Sequence, residues 1–151
     1  MKRLLAGGLA AASMLGAGAA LAARGYVDPA GDANAAPDIT SVSVAEASAG
    51  TLTIGVNVGN YQTLPVNSWV NLWFDLDSDP STGDDGDEAL VRYSADGAME
   101  LYAWDGARLV ASPTTGVTGA FSAGVLTMSV ARSSIAAAGP FGILAVSSRG
   151  Q

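Results

Sequence analysis

Apolar and polar residues alternate with a period of two through most of this chain, and no other feature restricts its fold as strongly. In 51–58 every even-numbered position holds Leu, Ile or Val. In 68–77 the even positions from 70 onward are apolar, whereas the odd positions hold Trp, Asn and Asp. This is the pattern of half-buried β-strands. The segments that read as strands are 39–46, 51–58, 68–77, 87–95, 98–104, 107–111, 117–121, 125–131 and 141–148.

The order of these segments predicts an all-β domain. Asp96-Gly97 and Asp105-Gly106 separate neighbouring strands, and Asp-Gly is a favoured hairpin turn. The stretch 132–139 reads as one short helical turn, and no segment has the pattern of an amphipathic helix. We therefore expect an antiparallel β-sandwich of about nine strands, jelly-roll-like or immunoglobulin-like in type.

The chain divides into three parts. Residues 1–22 combine a Lys2-Arg3 start, an apolar run and the small-residue end Ala20-Leu21-Ala22, which predicts a secretory signal peptide. Residues 23–38 are rich in Gly, Pro and Asp and predict an irregular lead-in that packs on the domain, and 39–151 form the sandwich. No later apolar run is long enough to span a bilayer. The expected product is an exported protein, periplasmic or extracellular, without membrane insertion.

Composition excludes several classes of function. Lys2 and Arg3 are two of the seven basic residues, so the exported chain has 14 acidic residues against five arginines, a formal charge of −9. Nucleic acids and anionic membranes need cationic surfaces and are not expected as partners. The chain has no Cys and no His, which rules out disulfides, a Ser-His-Asp triad and His-ligated zinc or haem. A bound metal ion is the obvious remaining cross-link for such a domain.

The segment FDLDSDPSTGDDGDEALV, residues 74–91, carries seven of the 14 acidic residues between positions 75 and 88. Two carboxylates two residues apart on a strand leave the same face about 7 Å apart, so both can reach one ion. Hard oxygen ligands without nitrogen or sulfur favour calcium. The candidate ligands are Asp75, Asp77, Asp79, Asp85, Asp87 and Glu88. The alternative is a solvated acidic turn.

The loop is not an EF-hand, although it begins with D-x-D-x-D. Pro80 replaces the glycine expected at position six of that motif, and Gly86 replaces the glutamate expected at position twelve. Its flanks also read as strands instead of helices. The predicted calcium site is therefore of another type.

Aromatic residues supply the candidate ligand-binding surface. Trp69, Asn71 and Trp73 project from one strand face, and Tyr102 and Trp104 lie on a nearby strand. Aromatic platforms beside polar groups bind sugars. The favoured alternative is that the tryptophans form a second packing surface in the sandwich core.

Catalysis is not expected. A glycosidase needs two carboxylates across a cleft, and the three glutamates Glu46, Glu88 and Glu100 lie in no recognisable catalytic setting. Ser, Thr and Tyr lack a base that would activate them.

Several motifs together resemble a secreted bacterial β-sandwich module of the DOMON and family 9 carbohydrate-binding-module group. They are DPAGDANAAPDITSVSV, FDLDSDPSTG followed by GDEALV, WDG, and LTMSVARSSI. The resemblance implies a jelly-roll-like sandwich, often calcium-stabilised, that binds extracellular ligands or sugars. It also implies that the segment with Asp28, Asp32 and Asp38 packs near the acidic loop. Haem-binding DOMON members use Met and His ligands, and this chain has no His.

The sequence thus predicts a secreted, acidic, non-catalytic and calcium-stabilised binding module, with an extracellular glycan or cell-surface component as its partner. The alternative is a purely structural envelope, matrix or adhesion protein without a small-molecule ligand. A glycan-active enzyme comes third.

Overall fold

The protein is an all-β sandwich, as the alternation predicts. The structure is a computed structural model that describes residues 24–48 and 50–150, so the predicted signal peptide lies outside the described residues. The strands are β1 (Arg24–Val27), β2 (Ile39–Ser48), β3 (Thr51–Val58), β4 (Ser68–Asp75), β5 (Ala89–Ser94), β6 (Met99–Trp104), β7 (Leu109–Ser112), β8 (Val117–Ser122), β9 (Val125–Ala131) and β10 (Gly142–Arg149). A 3₁₀ turn (Arg132–Ile135) follows β9, within the predicted helical turn.

The strand that the sequence does not predict is β1, which makes the number of described strands ten instead of nine. All four of its residues are exposed, so it has no buried face and no apolar alternation to reveal it. It forms through backbone pairing with β2, from Arg24 opposite Val44 to Val27 opposite Ser41. The predicted irregular lead-in is therefore irregular only after Val27.

The strands form two antiparallel sheets. The first has the order β1-β2-β3-β9-β8, and the second has the order β10-β4-β5-β6-β7. Both Asp-Gly pairs lie in hairpin loops, because β5 pairs with β6 and β6 pairs with β7. Within the second sheet β4 is paired on both sides, by β10 and by β5.

The hydrophobic core lies between the two sheets. Ile54 and Val56 from β3 and Val70, Leu72 and Phe74 from β4 are completely buried there. Burying each such side chain contributes roughly 1.5–3 kcal/mol. A one-residue slip of β4 would expose all three of its core residues. This register therefore directs the odd-numbered residues of β4 to the outer face of the second sheet.

The lead-in segment packs away from the acidic loop, so the position implied by the family resemblance is wrong. Ser147 donates a hydrogen bond to the Pro37 carbonyl, and Arg149 donates one to the Ala35 carbonyl at 3.3 Å. Those two residues of β10 lie opposite the beginning of β4. The acidic loop follows the other end of β4, because its carboxylates begin at Asp75.

Within the part of the chain that the structure describes, no helix has the length and apolar character needed to cross a membrane.

Candidate functional site

The acidic loop begins at the last residue of β4 and folds around its own aspartates. Asp75 Oδ1 accepts the Ser78 N–H at 2.6 Å, and Asp77 Oδ1 accepts the Asp79 N–H at 2.9 Å. Asp79 Oδ1 accepts the Ser81 N–H at 2.9 Å. Each aspartate thus stabilises a turn with one carboxylate oxygen.

Three of the six predicted ligands converge. One carboxylate oxygen from each of Asp75, Asp77 and Glu88 lies within 4.8 Å of the others. Oxygens bound to one calcium ion at 2.3–2.6 Å lie no more than about 5 Å apart, so the spacing fits a shared ion. Glu88 is held in position because its Oε2 accepts the Leu76 N–H at 2.7 Å.

The Thr82 hydroxyl lies among these carboxylates with more acceptors than it can serve. Its Oγ1 is 3.0 and 3.1 Å from the two oxygens of Asp77, 2.8 Å from Glu88 Oε1 and 3.0 Å from the Asp79 carbonyl. A hydroxyl has one proton to donate, so most of these oxygen contacts have no hydrogen between them. A cation would neutralise this oxygen-rich arrangement, and the donor set is of the type that calcium prefers.

The other three predicted ligands lie outside this converging group. Asp79 is bound by the hydroxyl and N–H of Ser81, and these hydrogen bonds lower the pKa of its carboxyl. Asp85 is exposed in a tight turn between Asp84 and Asp87, with a φ of 55°.

Asp87 is partly buried close to the group. Desolvation raises the pKa of its carboxyl, and the negative charges of Asp75 and Glu88, followed by Asp84 and Asp85, raise it further. The loop is therefore a region of negative potential that attracts cations.

The five predicted ligand-binding residues lie on the outer face of the second sheet. Trp69, Asn71 and Trp73 alternate with the core residues of β4, and Tyr102 and Trp104 alternate with the core residue Leu101 of β6. The three tryptophans are partly exposed, so the favoured prediction that they pack in the core is wrong. Residues of β5 lie between them, with Arg92 opposite Asn71 and Leu90 opposite Trp73. We call this surface the aromatic face: Trp69, Asn71, Trp73, Leu90, Arg92, Glu100, Tyr102 and Trp104.

Arg92 connects the polar groups at the centre of the aromatic face. Its Nε donates to Asn71 Oδ1 at 2.9 Å, and its guanidinium forms an ion pair with Glu100 at 3.3 Å. The guanidinium carbon is also 5.8 Å from the ring centroids of both Trp69 and Tyr102, within cation–π range. These contacts fix the relative positions of two aromatic rings.

Tyr102 is tied to the same network. Its hydroxyl donates to Glu100 Oε2 at 3.0 Å. This hydrogen bond raises the pKa of the phenol, and burial and the Glu100 charge act in the same direction. The hydroxyl therefore remains protonated at neutral pH.

The sequence reasoning missed Leu90, Arg92 and Glu100. The sequence contains a signal for two of them, because Arg92 and Glu100 lie opposite each other on two strands that are joined by a hairpin. Opposite charges facing each other across such a hairpin are a common stabilising pair. Leu90 is 4% exposed yet lies outside the core cluster, because it is covered on the outer face.

The acidic group and the aromatic face are continuous. Asp75 follows Trp73 by two residues on the same face of β4. The backbone N–H of Trp104 donates to the Glu88 carbonyl at 2.8 Å, so Glu88 of the acidic group lies beside Trp104 of the aromatic face. The outer side of the second sheet therefore carries a carboxylate group at one end and aromatic rings along its middle.

Comparisons of the chain with models of known protein families, with curated proteins and with solved structures give no match. The similarity to the DOMON and family 9 group therefore stays a prediction from short motifs.

Proposed function

We propose that this protein is an exported, non-catalytic β-sandwich binding module that is stabilised by at least one calcium ion. Its aromatic face binds an extracellular glycan or another component of a cell surface. The acidic loop holds the ion through Asp75, Asp77 and Glu88.

The observation that carries this proposal is the aromatic face itself. A sheet that only closed a sandwich would be expected to carry small polar residues on its solvent side. Here that side has three partly exposed tryptophans, placed around the Arg92–Glu100 ion pair and the Asn71 amide. Partly exposed rings beside fixed polar groups suit ligands with both apolar and hydrogen-bonding surfaces, such as sugars.

The calcium part of the proposal is supported by the carboxylate spacing and by the contacts of Thr82. Mutual repulsion among the loop carboxylates opposes the folded loop, and an ion at the centre of Asp75, Asp77 and Glu88 would offset much of that repulsion. Calcium tolerates six to eight oxygen ligands in irregular geometry, which suits a loop in which side-chain and carbonyl oxygens are mixed.

The non-catalytic part is supported by the roles of the acidic side chains. Asp75, Asp77 and Asp79 accept backbone N–H groups of their own loop, and Glu100 is paired with Arg92. Histidine, the most frequent general base, does not occur in the chain.

Replacing Trp73 by alanine is expected to weaken glycan binding by at least about tenfold, or about 1.4 kcal/mol, while the melting temperature changes little because Trp73 lies outside the core cluster. Binding is measured by titration calorimetry against glycans selected on a neutral glycan array. Tyr26→Ala is the matched control, since Tyr26 is a 52% exposed aromatic residue on β1, and it should bind normally.

Different results favour the other functions. If the wild-type protein binds no glycan, the proposed ligand is wrong and a structural envelope or matrix role takes its place. Turnover of a polysaccharide by the wild-type protein would instead identify an enzyme.

A further inference from the structure

Several hydrogen-bond donors on the aromatic face have no partner among the residues that the structure describes. Asn71 is 6% exposed, and its amide oxygen is used by Arg92. Its amide nitrogen and the indole N–H groups of Trp69 and Trp73 make no hydrogen bond to the residues described. None of these nitrogens is completely buried, and both tryptophans are partly exposed. A ligand rich in hydroxyl oxygens would satisfy these donors.

Aromatic and polar groups alternate along β4. Trp69 and Trp73 are four residues apart on one face, which places their Cα atoms about 13 Å apart. Asn71 lies midway between them, with Arg92 beside it on β5. A linear oligosaccharide presents the same alternation, because apolar sugar faces are separated by polar linkages and hydroxyl groups.

The direction across the strands lacks this alternation. Trp73, Leu90 and Tyr102 lie opposite one another on successive strands and form an apolar row. Leu90 at its centre is 4% exposed, so it offers no hydrogen-bonding group where a sugar linkage would need one. The direction along β4 therefore suits a glycan chain better.

The charges around the face disfavour an anionic ligand. Arg92 is already neutralised by Glu100 at 3.3 Å. Asp75 follows Trp73 on the same strand face, and the carboxylates of Asp77 and Glu88 lie within 4.8 Å of its own. Even with a divalent ion bound, these three carboxylates leave a net negative charge, on an exported chain whose formal charge is −9. An anionic glycan would be repelled at this end of the face.

We propose, on the basis of the proposed function, that the ligand is an uncharged linear oligosaccharide that lies along β4. Two of its sugars contact Trp69 and Trp73, and the segment between them hydrogen-bonds with Asn71. A single sugar ring is too short to reach both tryptophans, so chain length determines affinity.

The test uses the full exported chain with calcium and titration calorimetry. The probes are neutral linear gluco-, xylo- and manno-oligosaccharides from the monosaccharide to the hexasaccharide, with oligogalacturonides as the anionic series. For one neutral series we expect affinity to rise at least about tenfold between the monosaccharide and the hexasaccharide. Trp69→Ala and Trp73→Ala should each remove at least about tenfold of the hexasaccharide affinity.

Trp104→Ala tests the direction of the ligand, because Trp104 is on the aromatic face but on β6, away from the β4 line, so it should lose less hexasaccharide affinity than Trp69→Ala. Tyr26→Ala is the matched control, because Tyr26 is a 52% exposed aromatic residue on β1 and outside the aromatic face, and it should keep its hexasaccharide affinity within about twofold. Trp69→Phe keeps an aromatic ring at this position and should retain most of the binding. That result would show that the loss in Trp69→Ala comes from the missing ring and not from a folding defect. A melting curve for each variant accompanies the titrations.

Three results would overturn this inference while the proposed function stands: tighter binding of oligogalacturonides, equal affinity for monosaccharide and hexasaccharide, or a larger loss from Trp104→Ala than from Trp69→Ala. Failure of every glycan to bind would overturn the proposed function as well, and so separates the two.

Discussion

Substitution of Phe74 by alanine is expected to lower the free energy of unfolding by about 3–5 kcal/mol, the usual range for a buried phenylalanine. Phe74 is completely buried, and its ring lies 5.8 Å from that of Phe141, which precedes β10. Since Phe74 directly precedes Asp75, the cavity would also loosen the strand end from which the acidic loop begins. Calcium affinity should fall together with stability.

Chemical denaturation of the calcium-bound protein measures this change. Val27→Ala is the matched control, because Val27 is 89% exposed, and its effect should stay within about 0.5 kcal/mol. If Phe74→Ala unfolds at the same denaturant concentration as the wild type, the two sheets do not pack as the structure describes.

Substitution of Gly83 by alanine is expected to destabilise the protein by about 2–5 kcal/mol, through backbone strain and overpacking together. Gly83 has a φ of 68°, and an added Cβ would lie 2.4 Å from the Asp87 carbonyl oxygen and 2.6 Å from Glu88 Oε1. The loop would have to open to accept it, which moves Glu88 away from Asp75 and Asp77. Calcium affinity should therefore fall by more than the loss of stability alone would cause.

The Gly106→Ala variant distinguishes the effect of backbone strain from the effect of steric overlap with neighbouring atoms. Gly106 also has a positive φ, of 100°, but nothing lies within 4 Å of an added Cβ. Its substitution should cost about 1–2 kcal/mol from backbone strain and leave calcium affinity unchanged. Equal effects of the two substitutions on calcium titrations would show that Glu88 does not bind the ion.

The fold was largely predictable because each inner strand has one apolar face. The alternation in β3 and β4 gives both the strand and its buried side. β1 escaped prediction because all four of its residues are exposed and only backbone pairing with β2 forms it. The alternation also predicts an end of β4 that is two residues too late, because β4 ends at Asp75 and Asp77 belongs to the loop.

The candidate sites were predictable in residue type but not in arrangement. Seven carboxylates in one connection indicate a cation. The sequence does not reveal, however, that Ser81 donates a hydrogen bond to the Asp79 carboxylate or that Asp85 lies in its own tight turn. Those outcomes depend on backbone turns. Periodicity places Val70, Leu72 and Phe74 on the core side of β4, but it does not show whether the tryptophans on the opposite side are covered or exposed.

Thermal unfolding with calcium and with a chelator tests most directly whether the acidic loop is an ion-binding element. At a calcium concentration of 100 times the dissociation constant, the ion should add about 2.7 kcal/mol and raise the melting temperature by several degrees. Asp77→Asn should abolish most of that rise, whereas Asp32→Asn, at an exposed position outside the loop, should keep it. Identical melting curves of the wild type in calcium and in chelator would contradict the account.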